Sequence, residues 1–237
     1  MDFALPVAPV ISSISPDTNA VGDSITDVNV LTLTGSTPAN STVNVYDGSR
    51  LIGTAAANAN GSWSFLTSTL LDGTHSFTAT DTVAGNTSAA SSAWTVSVDT
   101  VAPVAPAITS FSTDSGTVGD GITSDNTLTL VGTGEANSTI NVYDGSTLLG
   151  TTTVNSSGAW NFAMTQLTDG AHIFTATDMD VAGNISLASS ALSVTIDTHA
   201  PVAPVIASFS PDTNVVGDGI TSANVLTLMG TVHLIKG

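Results

Sequence analysis

The sequence predicts an all-β protein made of tandem antiparallel sandwiches, and three observations support this fold class. Apolar and polar residues alternate with a period of two in short runs, which is typical of strands with one buried face. Glycine, asparagine, aspartate and proline separate these runs, as tight turns require. The whole pattern returns at intervals of 97 and 98 residues, from Pro6 to Pro103 and then to Pro201. A fixed period of this length indicates that each copy is one structural unit.

The first copy contains about seven predicted strands. The first strand follows the opening prolines, and the second shows the alternation clearly, since a threonine separates Leu31 from Leu33. From the same pattern, the second to seventh strands are expected at Val30–Thr34, Thr42–Tyr46, Leu51–Ala57, Trp63–Leu66, His75–Thr80 and Ala93–Val98. Seven short antiparallel strands in each copy are typical of an immunoglobulin-like Greek-key β-sandwich.

Aspartate-glycine pairs mark the turns between strands. Asp47-Gly48 and Asp144-Gly145 lie between two strand runs at equivalent positions of the two copies, and Asp72-Gly73 and Asp169-Gly170 precede a later strand. A two-residue hairpin turn needs a positive φ angle, which glycine adopts without strain. We therefore expect these four aspartates to be structural.

The period divides the chain into two complete copies and one incomplete copy. Residues 1–99 form repeat 1, residues 100–197 form repeat 2, and residues 198–237 form the start of a third copy. The third copy departs from the pattern after its second strand. Two strands cannot bury a sandwich core, so we expect this segment to be disordered or loosely docked rather than independently folded.

Charge is the most unusual bulk property of the 237-residue chain. The chain has nineteen acidic residues and only two basic ones, Arg50 and Lys236, which gives a formal net charge of −17 at pH 7. Such a polyanion is not expected to bind nucleic acid or an anionic membrane surface. No apolar run approaches the ~18 residues of a membrane-spanning helix, so no membrane insertion is expected. The sequence has no cysteine, which excludes disulfides, thiol catalysis and thiolate metal sites.

Several motifs recur in the same order along both complete copies. In repeat 2 and its flanking linkers they are Asp99–Pro103, Val118–Asp120, Leu128–Ser138, Val142–Gly145, Gly158–Phe162, Asp178–Asn184 and Val194–Thr198. This order resembles the bacterial Ig-like repeats of large surface adhesins and biofilm-associated proteins of the RTX-adhesin type, many of which leave the cell by type I secretion. The resemblance implies secreted, extracellular modules that extend an adhesive tip from the bacterial cell surface, with Ca²⁺ stiffening the joints in several relatives.

A non-catalytic structural role in cell adhesion or biofilm formation follows from the repeats and from this resemblance. Each repeat of a tandem array contacts only its neighbours and contributes length and stiffness rather than chemistry. We expect the partners to be neighbouring repeats of the same chain, with a host or matrix surface bound by regions outside this sequence, and the chain to be a monomer. The sequence contains no Gly-x-Ser-x-Gly motif and no activated nucleophile, so we expect that the protein is not an enzyme.

The joint between the two complete copies is the predicted metal site. In a sandwich of this type, the last strand of repeat 1 brings the linker to the pole of repeat 2 that contains the loop 178–184. One inserted residue in that loop adds a second aspartate where the first copy has only one. Carboxylate and amide oxygens are the ligands that Ca²⁺ takes, about 6 to 8 at a time. The predicted Ca²⁺ ligands are Asp99, Glu135, Asp178, Asp180 and Asn184.

The other joints contain fewer suitable residues, and a simpler interpretation of the aspartates stays open. In repeat 1, Asp2 corresponds to Asp99, but Asp81-Thr82 lacks the second aspartate and Thr37-Pro38 lacks the glutamate. Asp120 is expected at the opposite pole, near Asp197, where it could assist the next joint. Alternatively, all these residues are solvated turn aspartates, because aspartate and asparagine make good turns and an acidic surface favours solubility.

Histidines and aromatic residues suggest no other site. His75 and His172 share the phase of inward-facing residues, which favours boundary histidines with satisfied hydrogen bonds over zinc ligands. His199 and His233 have no motif around them. A glycan-binding or accessory module of a secreted protein is the alternative function, since β-sandwiches often present aromatic rings to sugars. Here the inward phase of Trp63, Trp94 and Trp160 leaves only Tyr46 and Tyr143 facing outward.

Overall fold

Strands and loops make up the whole of the described chain. The computed structural model describes residues 5–213 and 215–232, and this part of the chain contains no helix. It therefore contains no helix that is long and apolar enough to cross a lipid bilayer. Asp2, His233 and Lys236 lie outside the described residues.

Repeat 1 is a sandwich of two sheets. The smaller sheet has the strand order β1-β3-β6, and the larger one has the order β2-β9-β7-β4-β5, with β8 paired to β7. All pairs are antiparallel except β2 with β9, which run parallel. The strands are β1 (Val10–Ser15), β2 (Ile25–Thr26), β3 (Thr32–Ser36), β4 (Thr42–Asp47), β5 (Arg50–Ala56), β6 (Ser62–Leu66), β7 (Gly73–Val83), β8 (Asn86–Thr87) and β9 (Trp94–Val98).

Repeat 2 has the same arrangement. Its sheets have the orders β10-β12-β15 and β11-β17-β16-β13-β14, and β11 again runs parallel to β17. The strands are β10 (Ala107–Ser112), β11 (Ile122–Thr123), β12 (Thr129–Thr133), β13 (Thr139–Asp144), β14 (Thr147–Thr153), β15 (Ala159–Ala163), β16 (Gly170–Met179) and β17 (Leu192–Ile196). The all-β, immunoglobulin-like fold class predicted from the sequence is confirmed.

The alternating residues of the central strands form each core. In repeat 1 the fully buried side chains include Leu31, Leu33 and Phe77, and the equivalent residues Leu128, Leu130 and Phe174 are fully buried in repeat 2. Burial of side chains of this size supplies most of the stabilising free energy of such a domain, at ~1.5–3 kcal/mol each.

One glycine in each repeat permits the sheet to pack closely around a tryptophan. A Cβ atom placed on Gly35 would lie 2.0 Å from the carbonyl oxygen of Val10 and 2.5 Å from the ring of Trp63. The equivalent Gly132 meets Ala107 and Trp160 in the same way. Any side chain at these positions would displace either the neighbouring strand or the tryptophan, so the two repeats share this constraint.

The third copy contributes two paired strands. They are β18 (Val205–Ser210) and β19 (Thr227–Thr231), which pair antiparallel. Nearly all of their side chains are exposed, including Val205 and Leu228. The chain thus forms both strands of the copy without burying a core, and the absence of independent folding remains a prediction.

By the spatial clustering of its Cα atoms, the chain divides into two compact units. The first contains the segment ending at Phe111 together with Thr129–Met164 and Ile173–Leu192. The second contains Ser112–Leu128, Thr165–His172 and the segment beginning at Ser193. All five predicted Ca²⁺ ligands belong to the first unit.

Candidate metal centre

Asp99 marks the point where repeat 1 ends and the linker begins. Its N–H group follows β9 and donates to the carbonyl oxygen of Thr26 at 2.9 Å, which anchors the residue to repeat 1. Its Oδ1 atom accepts a hydrogen bond from the N–H of Val101 at 3.0 Å, as in an Asx turn. The side chain is therefore already ordered by its own turn, and its second carboxylate oxygen is not used in that bond.

Asp178 is the buried carboxylate of the candidate centre. It lies near the end of β16, has no solvent exposure, and donates its N–H to Ser186 Oγ at 2.9 Å. Its Oδ2 atom accepts the N–H of Glu135 at 2.7 Å, whereas its Oδ1 atom is buried without any hydrogen-bond partner. An unpartnered buried carboxylate oxygen is costly, and a bound cation is one way to compensate that cost.

The loop from Asp180 to Asn184 is folded around the Asp180 carboxylate. Asp180 Oδ1 accepts the N–H groups of Gly183 at 2.7 Å and of Asn184 at 2.9 Å. Asn184 Nδ2 donates to Asp180 Oδ2 at 2.8 Å and to the carbonyl oxygen of Asp99, also at 2.8 Å. The amide of Asn184 therefore links the two repeats across the joint.

Electrostatic repulsion concentrates on Glu135. Loss of hydration and then the negative charges of Asp180, Asp178 and Asp99 raise the pKa of the Glu135 carboxyl above its usual range. No basic residue lies in this part of the sequence to offset those charges. The carboxylates of Asp99, Asp178 and Asp180 are thus close enough to Glu135 to disfavour its ionised form.

The structure brings the predicted ligands to one joint, but their ligand atoms do not all converge on one position. Among the described residues, the only three metal-ligating side chains whose ligand atoms all lie within 4.8 Å of one another are Asp169, Asp197 and His199. The oxygen-only set at the joint between repeats 1 and 2 nevertheless fits a hard cation, since it combines four carboxylates and one amide, and one of those carboxylates has a buried oxygen without a partner.

A second cluster of metal-ligating side chains lies at the end of repeat 2 and was not predicted from the sequence. His199 was expected to have no motif around it, but its Nδ1 atom lies 2.6 Å from Asp169 Oδ2 and 3.6 Å from Asp197 Oδ1. Hydrogen bonds from Thr198 and the charge of His199 lower the pKa of Asp169. His199 is 82% exposed. The sequence does contain a signal for this cluster. His199 lies two residues beyond Asp197, whereas the equivalent position two residues beyond Asp99 is occupied by Val101.

The position of Asp120 near Asp197 stays a prediction, because the pairing of β11 with β17 places Thr123, rather than Asp120, beside Asp197. Asp120 precedes β11, which pairs with β17, and the N–H of Asp197 donates to the carbonyl oxygen of Thr123 at 2.9 Å. Its Oδ1 atom accepts the N–H of Ile122 at 2.9 Å. A role for Asp120 at the next joint remains a prediction.

His75 has hydrogen-bond partners on both of its ring nitrogens. His75 is 13% exposed, and its two ring nitrogens lie 2.6 Å from Asp47 Oδ2 and 2.8 Å from the carbonyl oxygen of Leu71. Burial opposes the charged imidazolium, but the bonds to Leu71 and Asp47 outweigh it and raise the pKa of His75. The prediction that this is a satisfied boundary histidine is confirmed.

The tryptophans lie on the inner side of the sheets. Trp63 and Trp160 are 3% and 2% exposed, and Trp94 packs partly buried against the core of repeat 1. Tyr46 and Tyr143 are half-buried. The rings of Trp63 and Trp160 are therefore not open platforms on which a sugar would stack, whereas Trp94, Tyr46 and Tyr143 keep partial exposure.

Comparison with known proteins identifies the fold family. The family model of the bacterial Ig-like domain matches twice, over residues 5–100 and 102–198. The chain belongs to the bacterial Ig-like domain family. Each of its two complete Ig-like repeats is thus one copy of this domain. No curated protein sequence matches the chain significantly.

Solved structures give more distant similarities to the Ig-like repeats. The BSP domain of a biofilm associated protein is 23% identical over 74% of this chain, with a TM-score of 0.32, and the chain spans only 29% of that structure. The fibronectin(III)-like modules of Clostridium thermocellum CbhA are 12% identical over 78% of this chain and 94% of theirs, with a TM-score of 0.47. The human OSCAR ligand-binding domain is 14% identical over 81% of this chain and 100% of its own, with a TM-score of 0.34.

Proposed function

We propose that the two Ig-like repeats are a non-catalytic extender module of a bacterial surface adhesin, and that Ca²⁺ stiffens the joint between them. In this role the module lies outside the cell and contributes to adhesion or biofilm formation by holding a binding region away from the surface. The observation that supports a cation at the joint most directly is the buried Oδ1 atom of Asp178, which has no hydrogen-bond partner. The tandem arrangement itself supports the extender role.

Bound Ca²⁺ would offset part of the negative charge of the joint and would join ligands from both repeats. Asp99 belongs to the end of repeat 1, whereas Glu135, Asp178, Asp180 and Asn184 belong to repeat 2. Asn184 already bonds to both sides, since its amide donates to the Asp99 carbonyl and to Asp180. Ligands that come from two domains restrict the hinge between them when they share one ion. A flexible linker would then become a joint of defined angle.

The test is the melting temperature of the full chain with saturating Ca²⁺ and with chelator. We expect Ca²⁺ to raise it by several degrees, because a ligand present at ~100 times its dissociation constant stabilises the folded state by ~2.7 kcal/mol. The double variant Asp178→Asn with Asp180→Asn should lose this difference. Calorimetric titration with Ca²⁺ should lose its heat signal in the same variant.

A matched control removes two aspartates away from the joint. Asp23 and Asp125 each accept a backbone N–H within their own turns, from Ile25 and Thr127. The variant Asp23→Asn with Asp125→Asn has the same net charge as the joint variant and should keep the full Ca²⁺ effect. If Ca²⁺ stabilises all three proteins equally, or none of them, the proposed joint site is wrong.

A further inference from the structure

A corner of repeat 1 contacts the inserted loop of repeat 2 directly. The corner consists of Thr18 and Asn19, in the turn between β1 and β2. Thr18 Oγ1 donates to the carbonyl oxygen of Ala182 at 2.7 Å. Asn19 Nδ2 lies 3.1 Å from the carbonyl oxygen of Val181 and 3.4 Å from that of Asp180. Two neighbouring side chains thus bind three consecutive carbonyl groups more than 160 residues away in the sequence.

Contacts and backbone geometry within repeat 1 hold the two corner residues in place. Thr18 Oγ1 accepts the N–H of Asp27 at 2.9 Å, and its one hydrogen has two acceptors within reach, of which the Ala182 carbonyl at 2.7 Å is closer than Thr26 Oγ1 at 3.3 Å. Asn19 has a φ angle of 59°, a left-handed conformation that asparagine adopts more readily than most residues. These two restraints orient the donors, which lowers the entropy lost when the contact forms.

The contact buries the loop at Ala182, while Asn19 and Val181 remain solvent-exposed. Ala182 has no solvent exposure, whereas its equivalent in repeat 1, Ala84, is exposed. Gly183, beside it, has a φ angle of 107°, and a Cβ atom there would lie 3.5 Å from the Cβ of Asn19 and 3.6 Å from Asp27 Oδ2. The tip of the loop therefore packs against the corner in addition to bonding to it.

The fit depends on features that differ between the copies. The loop of repeat 1, residues 81–86, is one residue shorter and has no counterpart of Asp180. The corner of repeat 2 consists of Ser115 and Gly116, so it keeps a hydroxyl group but has no side-chain amide. The corner of repeat 1 and the loop of repeat 2 are thus complementary in length and in hydrogen-bonding groups.

We propose that the Thr18-Asn19 corner is a recognition surface for a following Ig-like repeat with the seven-residue loop, and that it orients this repeat without a metal ion. The partner it fits is a loop of the form Asp-x-Asp-x-x-Gly-Asn, which presents three carbonyl groups to the hydroxyl and the amide. The inference deepens the proposed role of the joint and rests on it. Ca²⁺ would then lock an interface that hydrogen bonds have already set.

Spin labels on the full chain test this proposal, because the sequence contains no cysteine that would compete for the label. Cysteines introduced by Ser49→Cys and Ser146→Cys would place one label on an exposed hairpin of each repeat. Double electron–electron resonance in chelator should give one narrow distance distribution. With Thr18→Val and Asn19→Ala added, we expect the distribution to broaden at least about twofold.

Three controls keep the outcome interpretable. Thr18→Ser retains the hydroxyl and should keep the narrow distribution. Thr213→Val removes the equivalent hydroxyl in the third copy and should also leave it narrow. Circular dichroism should show that each variant retains its strand content. An unchanged width in the double variant would overturn the proposal. A wild-type distribution that is broad in chelator and narrow with Ca²⁺ would also overturn it, while supporting the calcium joint.

Discussion

The equivalent poles of the two repeats contain the same buried carboxylate in two different surroundings. Asp81 and Asp178 are both completely buried at the same register of the central strands. Asp178 accepts the N–H of Glu135, but the residue equivalent to Glu135 in repeat 1 is Pro38, which has no N–H group. Both carboxylate oxygens of Asp81 consequently lack a partner. Because of this proline, Asp81 has no hydrogen bond to either carboxylate oxygen, whereas Asp178 has one.

A neighbouring residue and the loop add to this difference. A Cβ atom on Gly134 would lie 2.7 Å from Asp178 Oδ2, and repeat 1 has Thr37 at this position, with a buried Oγ1 atom that has no partner. The shorter loop of repeat 1 also places Ala84 at a φ angle of 48°, which costs ~1–2 kcal/mol for a residue with a Cβ atom. The pole of repeat 2 therefore leaves one buried carboxylate oxygen without a partner, whereas that of repeat 1 leaves two such oxygens and a hydroxyl group.

Neutralising Asp81 should have the largest effect. In chelator, Asp81→Asn should raise the free energy of unfolding of repeat 1 by ~2 kcal/mol, because it replaces an unpaired buried charge by a neutral amide, and an unpaired charge costs more than the ~1–3 kcal/mol of a neutral polar group. Asp178→Asn should gain less, since its carboxylate already accepts one N–H. Hydrogen exchange with mass spectrometry of peptides from β7 and β16 would measure the two repeats separately. An equal or greater gain in Asp178→Asn would contradict the comparison.

Restoring the missing donor should have an intermediate effect. Pro38→Ala supplies an N–H group at the position equivalent to Glu135, whose N–H donates to Asp178. This variant should raise the free energy of unfolding of repeat 1 by ~1 kcal/mol. This is the balance of a hydrogen bond to a charged group, worth ~1.5–3 kcal/mol, and the lost rigidity of proline, ~0.4–1 kcal/mol. Denaturant unfolding would measure it. In an Asp81→Ala background the gain should vanish, and an undiminished gain there would show that Asp81 is not the acceptor.

The smallest effect is expected at Glu135, and it should change sign with Ca²⁺. Because the folded state raises the pKa of Glu135, its stability contribution is present below the ordinary value of about 4.3 and is lost as pH rises through the raised value. In chelator, Glu135→Gln should therefore melt ~2 °C above wild type near neutral pH and show no such advantage at about pH 4. With saturating Ca²⁺ at neutral pH, the variant should melt below wild type. The same order in both conditions would exclude Glu135 as a ligand.

Much of the fold could be predicted because the strands follow a simple period. The second predicted strand began two residues before β3, since Leu31 lies in the inward phase but donates its N–H to Thr67 Oγ1 rather than to a neighbouring strand. The two-residue strands β2 and β8 are too short to show any period. The predicted sandwich was therefore correct, while such boundaries depend on partners distant in the sequence.

That the acidic residues meet at one joint could be predicted from the sequence, whereas their role as Ca²⁺ ligands stays a prediction. Repeat spacing indicated which acidic residues share a pole, and the inserted Asp180 directed attention to one joint. The missing donor at Pro38 and the contact of Thr18 and Asn19 with the loop could not be predicted, because both involve single residues that follow no pattern and meet partners far along the chain. Composition suggests that cations are attracted, but only geometry shows which oxygen atom is left without a partner.

The parallel pairing at the edge of each sandwich has a mechanical consequence. Strand β2, near the start of repeat 1, bonds to β9 at its end through Ser97 to Ser24 and Asp99 to Thr26, each at 2.9 Å. In repeat 2, β11 and β17 bond in the same way. Tension that reaches this pair pulls the N-terminal end of β2 and the C-terminal end of β9 in opposite directions, so the parallel partners are sheared and their bonds share the load. Antiparallel partners pulled from one end would open one bond at a time.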